Sequence, residues 1–279
     1  MKLILIGVLL LFQMHVSYGQ NLYLTASSGY NLGTNKSNFE NYTYNKWIAV
    51  VYPYDKDRVA YSLGKGVDFN IGIGYTTRYK IGFELAGSYL YGLKTMGSSQ
   101  YIEDDIFKKE IYSRFYRISP SVHFIHELKR ISLKMSLGGI VGFGKMYLNQ
   151  EAIYKDEPWV QYENEFSGGI YFGLKAGIGV SYRIGKRLSL FADLNWVNAY
   201  YSPSKAQVTK FMSEGKDYTD ILEPIERETE YVNSVEAPPY DTKMPYKKLH
   251  ERFAASSIGL QVGIQWILWS KLSDKKEAE

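Results

Sequence analysis

The chain has 279 residues, with 26 tyrosines, 25 glycines, 8 prolines, no cysteine and a formal charge of +4. Without cysteine, a disulfide scaffold, a thiol nucleophile and a thiolate metal site are all excluded. The weak positive charge, with no long basic block, excludes nucleic acid as a partner, and the 16% aromatic content favours strands.

The N-terminus comes first. Lys2 supplies a positive charge, Leu3 to Phe12 is apolar apart from Gly7, and the small residues Ser17 and Gly19 stand two positions apart. This three-part pattern predicts a secretory signal over 1–19, cleaved between Gly19 and Gln20. The apolar run is about half the length of a spanning helix, and no later segment approaches about eighteen consecutive apolar residues.

Eight segments with a period of two follow: Leu22–Leu32, Val67–Tyr75, Ile81–Tyr91, Tyr116–Phe124, Ile131–Phe143, Ile170–Tyr182, Leu188–Trp196 and Ile258–Trp266. Each apolar face holds for roughly ten residues, the length a tilted strand needs to cross hydrocarbon. A helix would repeat its apolar positions at three and four instead. The opposite face is dominated by glycine, serine and alanine with single charges between them, not by the long lysines and glutamates of a water-facing sheet. Such a face suits the narrow lumen of eight strands. The predicted fold is all-β: an eight-stranded antiparallel transmembrane up-and-down β-barrel over 20–269, followed by a charged tail over 270–279.

Connections should alternate in length. Tight turns are predicted near Thr77–Tyr79, His126–Arg130 and Gly185–Arg187. Long connections are predicted at about 33–65, 94–112, 148–168 and 201–252. Short turns then lie on the periplasmic side and long loops outside. Pro120 is the one proline inside a span; it predicts a bulge or a locally broken pair. Aromatic residues gather at both ends of the segments. Tyr75, Tyr182 and Trp266 form the turn-side girdle, and Tyr89, Tyr91 and Trp196 belong to the loop-side one.

The signal, the eight alternating segments, the three tight turns and the closing segment Ile258 to Trp269 resemble the small outer-membrane barrels of the OmpA, OmpX and PorT type. The resemblance is architectural and compositional and covers the whole mature chain. It implies a closed or nearly closed barrel in a Gram-negative outer membrane, with variable outer loops. The chain departs from that pattern in its long first and fourth loops and in the tail.

The inward-facing charges are Asp68, Glu84, Arg117, Lys134, Lys175, Arg183 and Asp193, and all but Arg183 are assigned to a network in one narrow lumen. Charge buried there is costly unless paired, so a salt-bridge network closing the lumen is expected, with a narrow transport pore as the competing reading. A lipid-modifying enzyme would need a base beside a nucleophile at the outer rim. His123 and His126 lie at the periplasmic end and His250 has no serine at a recognisable spacing, so no catalytic residue is assigned. The loop carboxylates Asp104, Asp105, Glu163, Glu165, Glu223, Glu226, Glu228 and Glu230 lack the ordered spacing of a calcium loop. No metal or cofactor is expected. Lys205–Glu230 has enough apolar content for a short helix or hairpin over the mouth. With Trp47–Tyr52 of the first loop it should form an outer cap. The expected partners are outer-membrane lipid and a protein or surface glycan met by the loops.

Overall fold

The computed structural model describes residues 19–34, 37–38, 60–100, 105–154, 157–235 and 241–270. The predicted signal segment up to residue 18, the patch Trp47–Tyr52 and the tail from residue 271 lie outside the described residues. Eight strands build the wall: β1 (Gly19–Gly33), β2 (Gly66–Thr77), β3 (Ile81–Gly92), β4 (Asp105–Leu128), β5 (Ile131–Tyr154), β6 (Ile170–Arg183), β7 (Leu188–Ser202) and β8 (Ser257–Ser270). Each pairs antiparallel with its neighbour in the chain. The ring closes because β8 also pairs with β1, from Asn21 opposite Ser270 to Gly33 opposite Ser257. Closure satisfies the backbone groups that an open edge would leave unpaired, which is what a strand in lipid requires.

The period-two pattern now has a direction. Ile71, Leu137, Phe143, Leu174 and Leu260 project outward, between 57% and 72% exposed. An apolar belt this continuous around a closed wall fits hydrocarbon and not water. The chain is therefore a membrane-spanning eight-stranded barrel.

The three tight turns fall at Arg78–Lys80, Lys129–Arg130 and Ile184–Arg187. Lys80 and Lys129 take φ of 64° and 53°, the left-handed conformation that reverses a strand within a few residues. At Pro120 the ladder to β3 is continuous, while the partners recorded with β5 skip from Ile118 to Ser121 without a change of register. The pair is broken and no bulge forms. Proline has no N–H to give to β5, and the Ser119 hydroxyl donates to the Gly139 carbonyl instead, at 2.9 Å.

The connections at 94–112 and 148–168 differ from the loops expected, because much of each is strand. β4 and β5 keep their ladder past the apolar belt, out to Asp105 opposite Tyr154. The chain returns as the Glu157–Ser167 strand beside β5. Lys205–Ser213 pairs with that strand, Glu228–Val232 with Lys205–Gln207, and Tyr246–Leu249 lies parallel to Glu228–Val232. On the other side Thr95–Gln100 pairs with β4. One wall of the barrel thus rises into an outer sheet. Beyond the membrane the outward face becomes charged, with Lys108, Glu110 and Glu151, so the apolar signature of a strand stops where the strand does not.

The fourth connection supplies both a hairpin and a short helix. A 3-10 turn at Thr219–Ile221 and a helical turn at Pro224–Arg227 follow the Lys205–Ser213 strand. Glu223 and Glu226 cap that turn reciprocally, each side chain meeting the other's backbone N–H. Tyr218 and Leu222 pack onto Tyr162, Val208 and Phe211 of the sheet. Burial pushes the Tyr162 phenol up to about 12. The Thr219 hydroxyl and N–H hold the Asp217 carboxyl below its usual range.

Candidate functional site: the filled lumen and its mouth

The inner face of the barrel divides into two levels. At mid-depth Arg117 of β4 pairs with Asp68 of β2 at 2.5 Å, both nearly sealed from solvent. Arg117 Nε also donates to Ser88 at 3.2 Å, and Gln261 of β8 donates to the second Asp68 oxygen at 3.2 Å. Gly142 faces this arginine from β5, and a Cβ there would press on the Arg117 stem at 2.9 Å. Closer to the turns, Lys134 pairs with Asp193 at 2.6 Å. Tyr23 donates to Glu84 at 3.3 Å and lies 2.9 Å from His123 Nε2.

Four of the six predicted lumen charges therefore meet in two ion pairs, and Glu84 is held by a tyrosine. Among the described residues Lys175 reaches no carboxylate; it lines a cavity of about 30 Å³ together with Glu84, His123, Lys134, Asp193 and Gln261. That is room for about one or two waters, which suits an ammonium lacking a direct partner. Tyr23, Ser88, Asn195 and Gln261 were missing from the predicted set. Their inward parity was readable, but neutral side chains carry no signal that picks out a partner.

Above Arg117 the chemistry reverses. Leu90, Phe115, Ile140, Tyr171, Val197 and Tyr201 converge on the axis, each less than a tenth exposed. The Phe115 ring packs on Tyr171 at 5.0 Å and on Tyr201 at 4.9 Å. The Tyr201 hydroxyl is shared between the Gly168 and Gly144 carbonyls at 2.7 and 3.0 Å. At this level the inner face departs from the expected dominance of glycine, serine and alanine with single charges. A signal for it exists: at Tyr89–Tyr91, Phe115–Tyr116, Ile140–Val141, Ile170–Phe172 and Trp196–Val197 the alternation gives way to consecutive apolar residues. A strand with lipid on one side and packed rings on the other has to be apolar on both faces.

Two connections cross over this apolar layer. Leu63 of the first donates to Ala254 of the fourth at 2.8 Å, and Ser62 donates to the Ser256 carbonyl at 2.6 Å. Ser113 of β4 reaches the Leu63 carbonyl at 2.7 Å, and Ala255 donates to Ala199 of β7 at 2.9 Å. Tyr61, Leu63, Phe253 and Ala255 are buried with the rings below them.

The residues expected to form the girdles lie on the outer wall. Tyr182, Trp266, Trp196 and Tyr91 are between 44% and 57% exposed on the outer wall. Tyr75 stacks on Phe83 at 5.3 Å and Tyr89 meets Tyr116 at 4.9 Å. Among the loop carboxylates weighed as calcium ligands, Glu165 pairs with Lys145 at 2.7 Å and Glu163 with Lys210 at 3.8 Å.

Wall, belt and filled axis together define a small membrane barrel with an elaborated outer end, the architecture of the outer-membrane barrels that the sequence pattern resembles. Among solved structures, the chain is similar to Neisserial surface protein A at 13% identity and a TM-score of 0.36, covering 88% of this chain and 96% of that one. It is similar to Ail, the attachment invasion locus protein of Yersinia pestis, at 9% identity and 0.33, covering 89% and 97%. The outer membrane protease OmpT of Escherichia coli matches at 8% and 0.25, covering 89% and 94%. No family model matches the sequence, and no curated protein does. With similarities this low, the fold rests on the chain's own closed ladder.

Proposed function

We propose that this chain is an exported outer-membrane barrel with a closed lumen, whose outer sheet and loops meet a protein or surface-glycan partner. One observation carries the reading: the axis is filled twice, by ion pairs at mid-depth and by packed aromatic and aliphatic side chains at the mouth. A transport path would have to displace both layers. The mouth is held by hydrogen bonds between the first and fourth connections, which ties the lumen seal to the outer sheet. The elaboration of the molecule therefore lies beyond the membrane, on a surface of mixed charge. The turns face the periplasm and the sheet faces outward. The reading assigns no catalytic residue: His123 is engaged inside the lumen with Tyr23.

Two measurements test this. In planar bilayers the purified full chain should give no steady conductance; large stable channels would overturn the closed lumen. Extraction from outer membranes in mild detergent should yield a stoichiometric protein or glycan partner that is lost when the outer sheet from Lys205 to Leu249 is replaced by a short turn. A clean monomer accompanied by altered lipid A would instead favour a lipid-modifying enzyme.

A further inference from the structure

One row of the outer wall departs from the pattern around it. Just above the loop-side girdle, Tyr91 of β3, Arg114 of β4 and Lys145 of β5 lie directly opposite one another across three strands. The row beneath is Tyr89, Tyr116 and Phe143, where the lipid-facing belt ends. Two cations opposite each other on adjacent strands repel, so a row that holds both gathers positive charge at one level of the wall.

Arg114 is held firmly. Its guanidinium lies 3.5 Å from the centre of the Tyr91 ring and 5.1 Å from that of Tyr112. One nitrogen, Nη1, donates to the Gly92 and Ser113 carbonyls at 2.6 and 2.8 Å. Its neighbours Lys94 and Lys145 each have a carboxylate, Glu110 at 2.5 Å and Glu165 at 2.7 Å. Among the described residues Arg114 has none, so the excess positive charge of the cluster rests on it. A guanidinium fixed between rings, with one edge anchored on carbonyls and the other unused, suits a phosphate better than a water shell does.

Below this row the wall has a notch. Gly87 of β3 stands in the lipid-facing row between Ile71 and Ile118, and a Cβ there would meet nothing nearer than the Ile71 carbonyl at 4.0 Å. Around it Phe69, Tyr89, Tyr116, Ile118, Val141 and Phe143 are among the outward residues of a shallow apolar hollow that continues round the wall to β1, β6 and β8. The notch lies two rows below the cationic row, at the depth of acyl chains, and the cationic row lies at the depth of headgroups.

We infer that this face binds one lipid with a phosphorylated headgroup, its phosphate between Arg114 and Lys145 and an acyl chain in the notch over Gly87. The inference rests on the outer-membrane reading above, and it adds the headgroup chemistry and the residues.

The full chain is placed in neutral nanodiscs doped with phosphatidic acid or with the matching diacylglycerol, and the lipid retained after gentle extraction is counted by native mass spectrometry. The phosphorylated lipid should be retained about tenfold over its phosphate-free counterpart, the scale of a charge-assisted pair. Arg114→Gln with Lys145→Gln should abolish that preference. Gly87→Leu, which leaves the cations intact, should reduce retention of both lipids. Heat-modifiable migration confirms that each variant is folded. Equal retention of the two lipids, or an unchanged preference in the double variant, overturns the inference. So does full displacement by millimolar inorganic phosphate, which would mark an anion site without a lipid. A chain that fails to enter the discs at all would refute the membrane reading instead.

Discussion

Below Arg117 the lumen is filled by polar and charged groups, and above it by rings and aliphatic side chains. The two levels face the same problem, since an eight-stranded barrel leaves a space only about as wide as side chains can fill. The lower level fills it with partners that must match in charge and reach: Arg117 with Asp68, Lys134 with Asp193. The upper level fills it with shape, as Phe115 sits between Tyr171 and Tyr201. The difference teaches where each kind of filling belongs. The polar level lies among small residues that leave room for long side chains, and the apolar level lies under loops that exclude water from it.

The contrast can be broken most directly at its centres. Phe115→Ala should cost about 3–5 kcal/mol, because the rings around it cannot collapse into the space. Asp68→Ala should cost a similar amount, about 3–5 kcal/mol, for a different reason: it strands a buried guanidinium. Urea unfolding from lipid vesicles measures both. The two mechanisms separate in a second step. Joining Asp68→Leu to Arg117→Met removes both charges and should recover most of the loss, whereas no partner change rescues Phe115→Ala. Failure of that recovery would show that the ion pair holds the barrel together beyond satisfying its own members.

Smaller effects sharpen the picture. Leu174→Arg places a charge against mid-bilayer lipid and should cost roughly 2–4 kcal/mol in the same assay; a neutral result would reverse the assignment of faces. Tyr201→Phe keeps the ring in the apolar level but leaves the Gly144 and Gly168 carbonyls without their donor, a loss of about 1–3 kcal/mol. Lys80→Ala removes a half-exposed pair with Glu127 near a tight turn and should change stability by less than about 1 kcal/mol. That variant is the reference for the others.

Much of the wall was legible in the sequence because lipid imposes a strict condition on every second residue. Leu133, Met135, Leu137, Val141 and Phe143 all have to be apolar whatever their neighbours are, so β5 could be read alone. The charges were legible for the same reason, as exceptions on the other parity. Their pairing was not. Asp68 and Arg117 lie on strands that are not adjacent, and nothing local says that Arg117 reaches Asp68 while Lys175 reaches no carboxylate among the described residues. The outer sheet escaped because β4 and β5 exchange lipid for water near Arg114 and Lys145, and the apolar face ends there although the backbone pairing continues.

By itself, then, the sequence determined the number of spanning segments, the faces they turn to lipid and the side of the short turns, since each follows from the transfer of single side chains out of water. Tertiary structure decided what fills the axis, how the first and fourth connections seal the mouth, and that Tyr91, Arg114 and Lys145 share one row. Those features depend on register between strands far apart in the chain. Register is set only when the ring closes and every inward side chain must find its place in the same narrow space.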